Sequence, residues 1–307
     1  MIPYGRQEIT QADIDAVVAV LQSEFLTQGP MVPRFEQAVA GYCSAQYALA
    51  VNSATSALHI ACLALGLGKG DYLWTSTNTF VASANCGLYC GAKVDFVDID
   101  PKTFNLSVTK LRDKLKKSKK NRLPKIVIPV SFAGQSCEMA EIKRLSKIYK
   151  FKILEDASHS LGGKYKNKPI GNGKYADISV FSFHPVKMIT TGEGGIATTN
   201  NKNYYEKMNL FKAHGITRDK KKFKFYNKES TYYEQHELGF NYRLTDFQCA
   251  LGISQLKKIN QFINRRVKIK IFYDKELKKL PLILPRQKKN FKSSWHLYPV
   301  LINNNKT

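Results

Sequence analysis

The sequence lacks several features that would assign it to a common class of protein. Its 307 residues contain no apolar run of membrane-spanning length, and charged Arg6, Glu8 and Asp13 stand where a secretory leader would be apolar. The six cysteines are scattered, without the paired Cys/His spacing of a zinc site. These absences predict a soluble, cytoplasmic protein with reduced cysteines, no metal and no membrane partner.

Acidic residues are also scarce, since 24 Asp and Glu stand against 48 Lys and Arg and leave a net charge of +24. Such a charge is compatible with nucleic-acid binding. The lysines cluster at residues 114–125 and 220–228, and the second run has interleaved aromatics that could stack on bases. A solvated lysine-rich surface is the commoner cause of such runs. We therefore expect no nucleic-acid partner and a field that favours anionic substrates.

Apolar strands alternate with amphipathic helices along the chain, which predicts an α/β fold. Predicted strands at residues 72–75 and 93–98 flank a predicted helix at 80–89, and this β-α-β unit indicates a parallel sheet. The remaining predicted strands are 47–51, 126–130, 151–154, 177–182, 194–199 and 295–301. Two separate helices are expected at 246–257 and 259–280.

One lysine, Lys187, stands between the aromatic and serine-containing segment Phe181-Ser-Phe-His184 and the glycine-rich turn Gly192-Glu-Gly-Gly195. Apolar and hydroxylated neighbours predict a partly dry site, where the ammonium form of lysine is disfavoured. A neutral amine can attack a carbonyl carbon and form a Schiff base. The alternative is a strand-turn-strand whose lysine only caps a loop.

The segment Asn52-Ser-Ala-Thr-Ser56 follows a predicted strand and opens a predicted helix. Hydroxyls at a helix start predict an anion site, because the first amides and the positive end of the helix dipole point at the anion. The alternative is an ordinary N-cap, which needs only one of these hydroxyls.

Asp156 follows the predicted strand 151–154, at the strand end that usually faces the ligand crevice of an open α/β sheet. Asp156, Ser158 and His159 are too close in sequence for a Ser-His-Asp triad, and the chain has no G-x-S-x-G motif. Together with the anion site and Lys187, Asp156 fits pyridoxal phosphate. Asp156 would bind the pyridine nitrogen of this cofactor, the anion site its phosphate, and Lys187 its aldehyde.

At these residues the sequence resembles the DegT/DnrJ/EryC1/StrS family of sugar aminotransferases, from Tyr4 to about Pro299. The segments that carry the resemblance are Leu26-Thr-Gln-Gly29, Asn52-Ser-Ala-Thr-Ser-Ala57, Thr79-Phe-Val-Ala82, Phe181-Ser-Phe-His184, Thr190-Thr-Gly-Glu-Gly-Gly195, His214-Gly-Ile-Thr-Arg218 and Gly239-Phe-Asn-Tyr-Arg-Leu244.

The resemblance implies a fold-type-I, aspartate-aminotransferase-like transferase that depends on pyridoxal 5'-phosphate. Its large cofactor-binding domain, with a mixed and mostly parallel sheet, would cover residues 1–250. Residues 251–307 would begin a small C-terminal α+β domain, which we expect to be truncated because relatives continue past Thr307.

The resemblance also implies roles for individual residues. Lys187 would form the Schiff base and act as the acid-base group, and Asp156 would pair with the pyridine nitrogen. Phe80 would lie against the pyridine face, and His159 near the ring hydroxyl. Asn241 would reach the phosphate in the partner subunit, so a homodimer with shared active sites is implied.

The implied cofactor-binding residues are Ala54, Thr55, Ser56, Phe80, Asp156, His159, Ser182, Lys187 and Asn241. The implied substrate-binding residues are Tyr4, Glu24, Phe25, Leu26, Thr27, Ala54, Ser182 and Asn241.

Within the family, the same segments are most similar to the branch that aminates C4 of a UDP-linked 4-keto-6-deoxy-N-acetylhexosamine in pseudaminic acid biosynthesis. The implied reaction is a ping-pong transfer from L-glutamate. One alternative is a different nucleotide-linked keto sugar, of the bacillosamine or perosamine type. Related sugar dehydratases carry histidine at the lysine position, so Lys187 argues against dehydration. A non-catalytic basic regulatory homologue is the third alternative, and the intact Lys187 and Asp156 argue against it.

Overall fold

The computed structural model describes residues 5–225 and 231–302, and a mixed sheet of seven strands lies at its centre. The strands are β1 (Tyr47–Val51), β2 (Tyr72–Ser76), β3 (Lys93–Val97), β4 (Ile126–Ile128), β5 (Lys152–Asp156), β6 (Lys164–Tyr165), β7 (Lys168–Pro169), β8 (Ile178–Ser182), β9 (Gly195–Thr199), β10 (Ile216–Thr217), β11 (Glu234–Gln235), β12 (Leu282–Ile283), β13 (Phe291–Lys292) and β14 (Leu301–Ile302).

The strand order of the central sheet is β1-β9-β8-β5-β4-β2-β3. The five strands from β8 to β3 are parallel, whereas β9 is antiparallel to both β1 and β8. The expected α/β fold with a mostly parallel sheet is therefore confirmed.

Helices cover both faces of this sheet. They are α1 (Gln11–Leu21), α2 (Met31–Cys43), α3 (Ala54–Ala64), α4 (Ala82–Tyr89), α5 (Val108–Lys117), α6 (Met139–Tyr149), α7 (Lys202–Lys212) and α8 (Asp246–Leu277). Alternate strand residues pack on opposite faces, as the two-residue period of a strand requires. Leu154 joins the core under α3 and α4, whereas Ile153 joins the core under α5 and α6. No helix of the described part of the chain is long and apolar enough to cross a membrane.

Two predictions about the C-terminal part are wrong. The separate helices expected at 246–257 and 259–280 form one 32-residue helix, α8. Residues 257–259 contain neither glycine nor proline, so nothing interrupts the helix there. Of the residues in the strand expected at 295–301, only Leu301 belongs to a strand, the short β14, which it forms with Ile302. Trp295 has a φ of 53°, in the left-handed region, which ends any strand. Helix α8 crosses residue 250, and the proposed division into domains stays a prediction.

Buried Asp13 connects α1 to α8. Its Oδ2 accepts hydrogen bonds from the amide of Thr10 (2.8 Å), from Nε2 of Gln255 (3.0 Å) and from Nζ of Lys258 (2.5 Å). Burial acts to raise the pKa of this carboxyl, but hydrogen bonds, that of Lys258 foremost, outweigh burial and lower the pKa to about 2. The N-terminal helix is therefore attached to the rest of the fold through a charged contact.

We expect Asp13→Asn to lower the free energy of unfolding by roughly 2–3 kcal/mol at pH 7, because it leaves the ammonium of Lys258 without its charge partner. The stabilisation is present above the unfolded carboxyl pKa of about 4 and is lost as the pH falls towards the folded value of about 2. Urea unfolding at pH 7 and at pH 3 should show the difference between the two proteins shrinking in acid. The control is Glu141→Gln, which removes the exposed pair with Arg144 and should cost less than about 0.5 kcal/mol. Equal losses in both variants would contradict the role of Asp13.

Candidate functional site

Five loops meet at one edge of the central sheet, where the parallel strands have their carboxyl ends. They follow β1 (residues 52–56), β2 (77–81), β4 (129–138), β5 (157–163) and β8 (183–194). Because β9 is antiparallel, it begins at this same edge. The carboxyl edge is the usual ligand site of an open α/β sheet, and most of the predicted cofactor-binding residues lie on these loops or at the start of α3.

Helix α3 begins at this edge with a hydroxyl cap. The Oγ of Ser53 accepts a hydrogen bond from the amide of Ser56 (3.1 Å), and the Oγ of Ser56 donates to Oδ1 of Asn52 (2.6 Å). Ser56 is buried, so its hydroxyl serves the cap. The amides of Ala54 and Thr55 come first in the helix, where no intrahelical acceptor exists. Both the N-cap and the anion site that the sequence predicted are therefore compatible with this turn.

Gly195 brings the start of α3 next to the loop after β8. It pairs with Val51 across β1 and β9, and with Ser182 across β9 and β8. A Cβ atom at position 195 would overlap the backbone of Ser53 and Ala54. The missing side chain therefore allows the backbones to approach closely, which places Ser182 beside the helix start.

Asp156, the last residue of β5, presents a buried carboxylate at the centre of this edge. It is only 5% exposed. Its Oδ2 accepts a hydrogen bond from Oγ of Ser83 in α4 (2.6 Å), and its Oδ1 accepts one from the amide of Ser158 (3.1 Å). A carboxylate has about four lone-pair positions. Asp156 can therefore also accept a hydrogen bond from a protonated ring nitrogen.

Glu155, the residue before Asp156, points to the opposite face of the sheet. Its two oxygens accept hydrogen bonds from Oγ of Ser131 (3.1 Å) and Oγ of Ser179 (2.9 Å). Burial raises the pKa of Glu155 to about 7, and the charge of Asp156 adds to this rise. Glu155 therefore belongs to the support beneath the site.

Lys187 lies half-buried in the turn after β8, as the sequence predicted. The amide of Lys187 donates to the carbonyl of His184 (2.9 Å), and the hydroxyl of Thr190 donates to the carbonyl of Phe183 (3.0 Å). Burial lowers the pKa of the Lys187 ammonium, and the carboxylate of Asp156 opposes this shift. The amine is therefore freed from its proton more easily than that of a solvated lysine.

His159 is held in one orientation beside Asp156 and Lys187. The amide of Ala133 donates to Nδ1 of His159 (3.3 Å), so we assign the ring proton to Nε2. The ring of His296 lies on it, with centroids 4.3 Å apart. Burial, followed by the positive charge of Lys187, lowers the pKa of His159 to about 4, against the opposing charge of Asp156. The imidazole is therefore neutral at pH 7.

Sequence reasoning missed the segment 293–297, which covers this side of the site. Oγ of Ser294 donates to the carbonyl of His159 (2.8 Å), and Nη1 of Arg266 donates to the carbonyl of His296 (3.0 Å). The only signal in the sequence is a polar Ser-Ser-x-His group inside a run that otherwise favours a strand.

The predicted substrate loop, Glu24 to Thr27, lies between α1 and α2 and contacts the start of α8. The carbonyl of Leu26 accepts from the amide of Asp246 (2.9 Å), and Thr27 forms a bridge with Thr245. Glu24 and Phe25 line a groove of about 830 Å³ between α1, α2 and α8.

The start of α8 also contacts the turn that carries Lys187. Nε2 of Gln248 donates to the carbonyl of Glu193 (2.9 Å), and Oε1 of Gln248 accepts from the hydroxyl of Thr245 (2.7 Å). One helix turn therefore connects the substrate loop to the lysine turn.

The other predicted residues lie at the margin of the site. Phe80 is on the loop after β2 and is 72% exposed. Asn241 is exposed and forms a bridge with Ala213. Tyr4 lies outside the described residues. Among the residues that the structure describes, no three or more metal-binding side chains come together.

Comparison with known proteins gives a consistent result. The sequence pattern of the DegT/DnrJ/EryC1/StrS aminotransferase family matches residues 7–307. The UDP-4-amino-4,6-dideoxy-N-acetyl-beta-L-altrosamine transaminase of Campylobacter jejuni subsp. jejuni serotype O:23/36 (strain 81-176) is 44% identical over 303 residues, which cover 98% of this chain and 77% of that protein.

Two solved structures share the fold. Helicobacter pylori PseC, an aminotransferase involved in the biosynthesis of pseudoaminic acid, superimposes with a TM-score of 0.88 at 34% identity, covering 99% of this chain and 78% of PseC. Spr1654 from Streptococcus pneumoniae, in its PLP form, superimposes with a TM-score of 0.87 at 28% identity, covering 99% of this chain and 78% of Spr1654.

Proposed function

Because the chain belongs to the DegT/DnrJ/EryC1/StrS aminotransferase family, we propose that it moves the amino group of L-glutamate to C4 of a UDP-linked 4-keto sugar. The sugar is UDP-2-acetamido-2,6-dideoxy-beta-L-arabino-hexos-4-ulose, and the product is UDP-4-amino-4,6-dideoxy-N-acetyl-beta-L-altrosamine of the pseudaminic acid pathway. The strongest support for this activity is the 44% identity to the Campylobacter jejuni transaminase over 98% of the chain. The cofactor is pyridoxal 5'-phosphate.

The residues at the sheet edge fit this cofactor at three separate points. The start of α3 offers the amides of Ala54 and Thr55 to the phosphate. Asp156 offers a buried carboxylate to the protonated pyridine nitrogen, and Lys187 offers an amine to the aldehyde. When bound, pyridoxal phosphate supplies the electron sink on which amino-group transfer depends.

Lys187 moves the proton in both halves of the transfer. Its amine is available as a base because burial lowers the pKa of its ammonium form. It takes the proton from the α-carbon of L-glutamate, and it later delivers a proton to C4 of the sugar. The half-buried turn keeps this amine close to both carbons and limits exchange of the proton with water.

Asp156 and His159 orient the cofactor ring. The hydroxyl of Ser83 and the amide of Ser158 fix the carboxylate of Asp156, which keeps the pyridine nitrogen protonated. His159, which carries its proton on Nε2, would donate a hydrogen bond to the ring hydroxyl of the bound cofactor. Phe80 would cover one face of that ring.

The nucleotide sugar contacts the loop from Glu24 to Thr27 together with Ala54 and Ser182, and Tyr4 contributes to the same site. The contact between α8 and both this loop and the lysine turn supports a shared substrate cleft. The net charge of +24 favours a substrate that carries a diphosphate and a donor that is a dicarboxylate.

An apolar surface on α4 and on the loop before it supports a homodimer in which Asn241 reaches the phosphate in the partner subunit. Its exposed members are Phe80, Val81, Leu88 and Tyr89. The ring of His59 lies between Tyr89 (centroids 5.4 Å apart) and Phe240 (4.7 Å). Tyr89 therefore lies close to the segment that carries Asn241, and exposed apolar surfaces of this kind mark subunit interfaces.

We expect borohydride treatment of the yellow holoenzyme to attach the cofactor to Lys187, which peptide mass spectrometry would identify. Lys187→Ala should lose this attachment and should reduce transamination by about 10³-fold or more, because the amine that carries the proton is removed. Lys202→Ala, which alters a lysine that is 72% exposed, serves as the control and should behave like the wild type. Labelling at another lysine would refute the assignment of Lys187.

The sugar is tested by supplying the purified protein with L-glutamate and a panel of UDP- and GDP-linked 4-keto sugars. We expect amination of the L-arabino-configured UDP sugar, with 2-oxoglutarate formed in equal amount. Turnover of a bacillosamine- or perosamine-type precursor alone would replace the proposed sugar. A protein that binds no cofactor and aminates none of them would be a non-catalytic homologue.

The shared site is tested by mixing subunits. Lys187→Ala and Asn241→Ala homodimers should each be nearly inactive. Unfolding and refolding them together should restore partial activity, because a mixed dimer has one site with both wild-type residues. Lys187→Ala refolded with Lys202→Ala forms the positive control. Without any recovery in the mixed Asn241→Ala sample, Asn241 would not act across the dimer.

A further inference from the structure

His296 is buried at the site in a way that the fold alone does not explain. Its side chain is only 6% exposed. Within residues 5–225 and 231–302, neither of its ring nitrogens has a hydrogen-bond partner. A neutral imidazole always carries one N–H donor and one acceptor, and burying both unpaired is unfavourable. Contacts of the ring and of the surrounding backbone must therefore offset this cost.

The ring of His296 packs against the imidazole of His159. The two ring centroids are 4.3 Å apart, with 44° between the ring planes. His296 therefore covers one face of His159 and keeps water from it. Both ring nitrogens of His296 are enclosed, so a ligand in the cleft does not reach them.

The backbone around His296 is held firmly in this position. Nη1 of Arg266 donates to the carbonyls of Trp295 (3.3 Å) and His296 (3.0 Å). The amide of Ser294 donates to the carbonyl of Gly134 (3.1 Å). A Cβ at Gly134 would lie 2.6 Å from Oγ of Ser294, so glycine is needed for this approach. Trp295 has a φ of 53°, which a bulky residue adopts only when its surroundings enforce it.

The charges around the two imidazoles favour neutral rings. Lys187 faces His159, and both Lys187 and Arg266 face His296, whereas Asp156 is the carboxylate that opposes them at His159. Burial, and then the neighbouring His159 and the two cations, lower the pKa of His296 to about 2. The pair therefore carries no charge at pH 7, and the amide of Ala133 on Nδ1 leaves the proton of His159 on Nε2.

We propose that His296 is a positioning residue whose ring holds His159 in the orientation in which the amide of Ala133 reaches Nδ1, and that this contact keeps His159 in the Nε2–H form. In this form His159 donates a single hydrogen bond to the cofactor ring hydroxyl, and this last step rests on the proposed function. His296 acts through the flat face of its ring, and it does not touch the substrate.

The test uses ring-nitrogen NMR of histidine-labelled, cofactor-free protein. Wild type and His296→Phe should both show His159 as the Nε2–H tautomer with a pKa of about 4. His296→Asn removes the flat face and admits water, so the His159 pKa should rise by at least about one unit towards its ordinary value of roughly 6.5, with both tautomers present. His236→Asn, on the loop between α7 and α8, is the matched control and should leave His159 unchanged.

The holoenzyme provides a second measurement. His296→Asn should lower kcat roughly ten-fold to a hundred-fold because the imidazole of His159 is misplaced, with KM for both substrates nearly unchanged. His296→Phe should have the kcat of the wild type. An unchanged His159 signal in His296→Asn, or equal disturbance in His296→Phe, would overturn the proposal. If His296→Asn does not fold, His296→Leu replaces it, and a single Nε2–H tautomer in that variant would refute the role of the flat face. Because the NMR measurement needs neither cofactor nor substrate, it stands even if the proposed reaction fails.

Discussion

The close approach of backbones at Gly195 determines where the parts of the site lie. Without a side chain at this position, the first residue of β9 fits against Ser53 and Ala54 while it pairs with Ser182. The amides at the start of α3 then lie beside the loop that carries Lys187. The parallel strands between β8 and β2 bring the remaining parts, Asp156 foremost, to the same edge. A seven-stranded sheet thus converts distant positions in the sequence into neighbours.

Exclusion of water is the second constraint on the site, and it favours the uncharged form of several residues. Burial disfavours the charged form of each group, so the pKa of Lys187 falls, the pKa values of His159 and His296 fall, and the pKa of Glu155 rises. The cleft therefore holds two neutral imidazoles and a lysine that loses its proton more easily than a solvated one, all close to the carboxylate of Asp156. Such a setting suits chemistry in which one amine must alternate between nucleophile and proton carrier.

The sequence predicted those features that depend on local pattern. The strand Tyr47–Val51, the helix start at Ser53 and the turn of Lys187 follow from short-range periodicity and residue type, and the structure has them. Long-range contacts explain the failures. Residues 295–300 favour a strand by composition, but Gly134 and Arg266 hold them in another conformation. His296 was missed because its importance arises from His159, a residue more than a hundred positions away. The roles assigned to Phe80, Asn241 and the loop from Glu24 to Thr27 came from resemblance, and single-chain geometry alone does not determine them.

Helix α8 has a mechanical consequence for the cleft. Its first turn contacts both the substrate loop and the lysine turn, and the helix continues without interruption for 32 residues, a length of about 48 Å at 1.5 Å per residue. Its first half is buried up to Ile263, whereas Ile271 and Phe272 in its second half are exposed. A continuous helix bends far less readily than two helices joined by a loop. The exposed second half of α8 and the turn that carries Lys187 are therefore joined by one continuous helix.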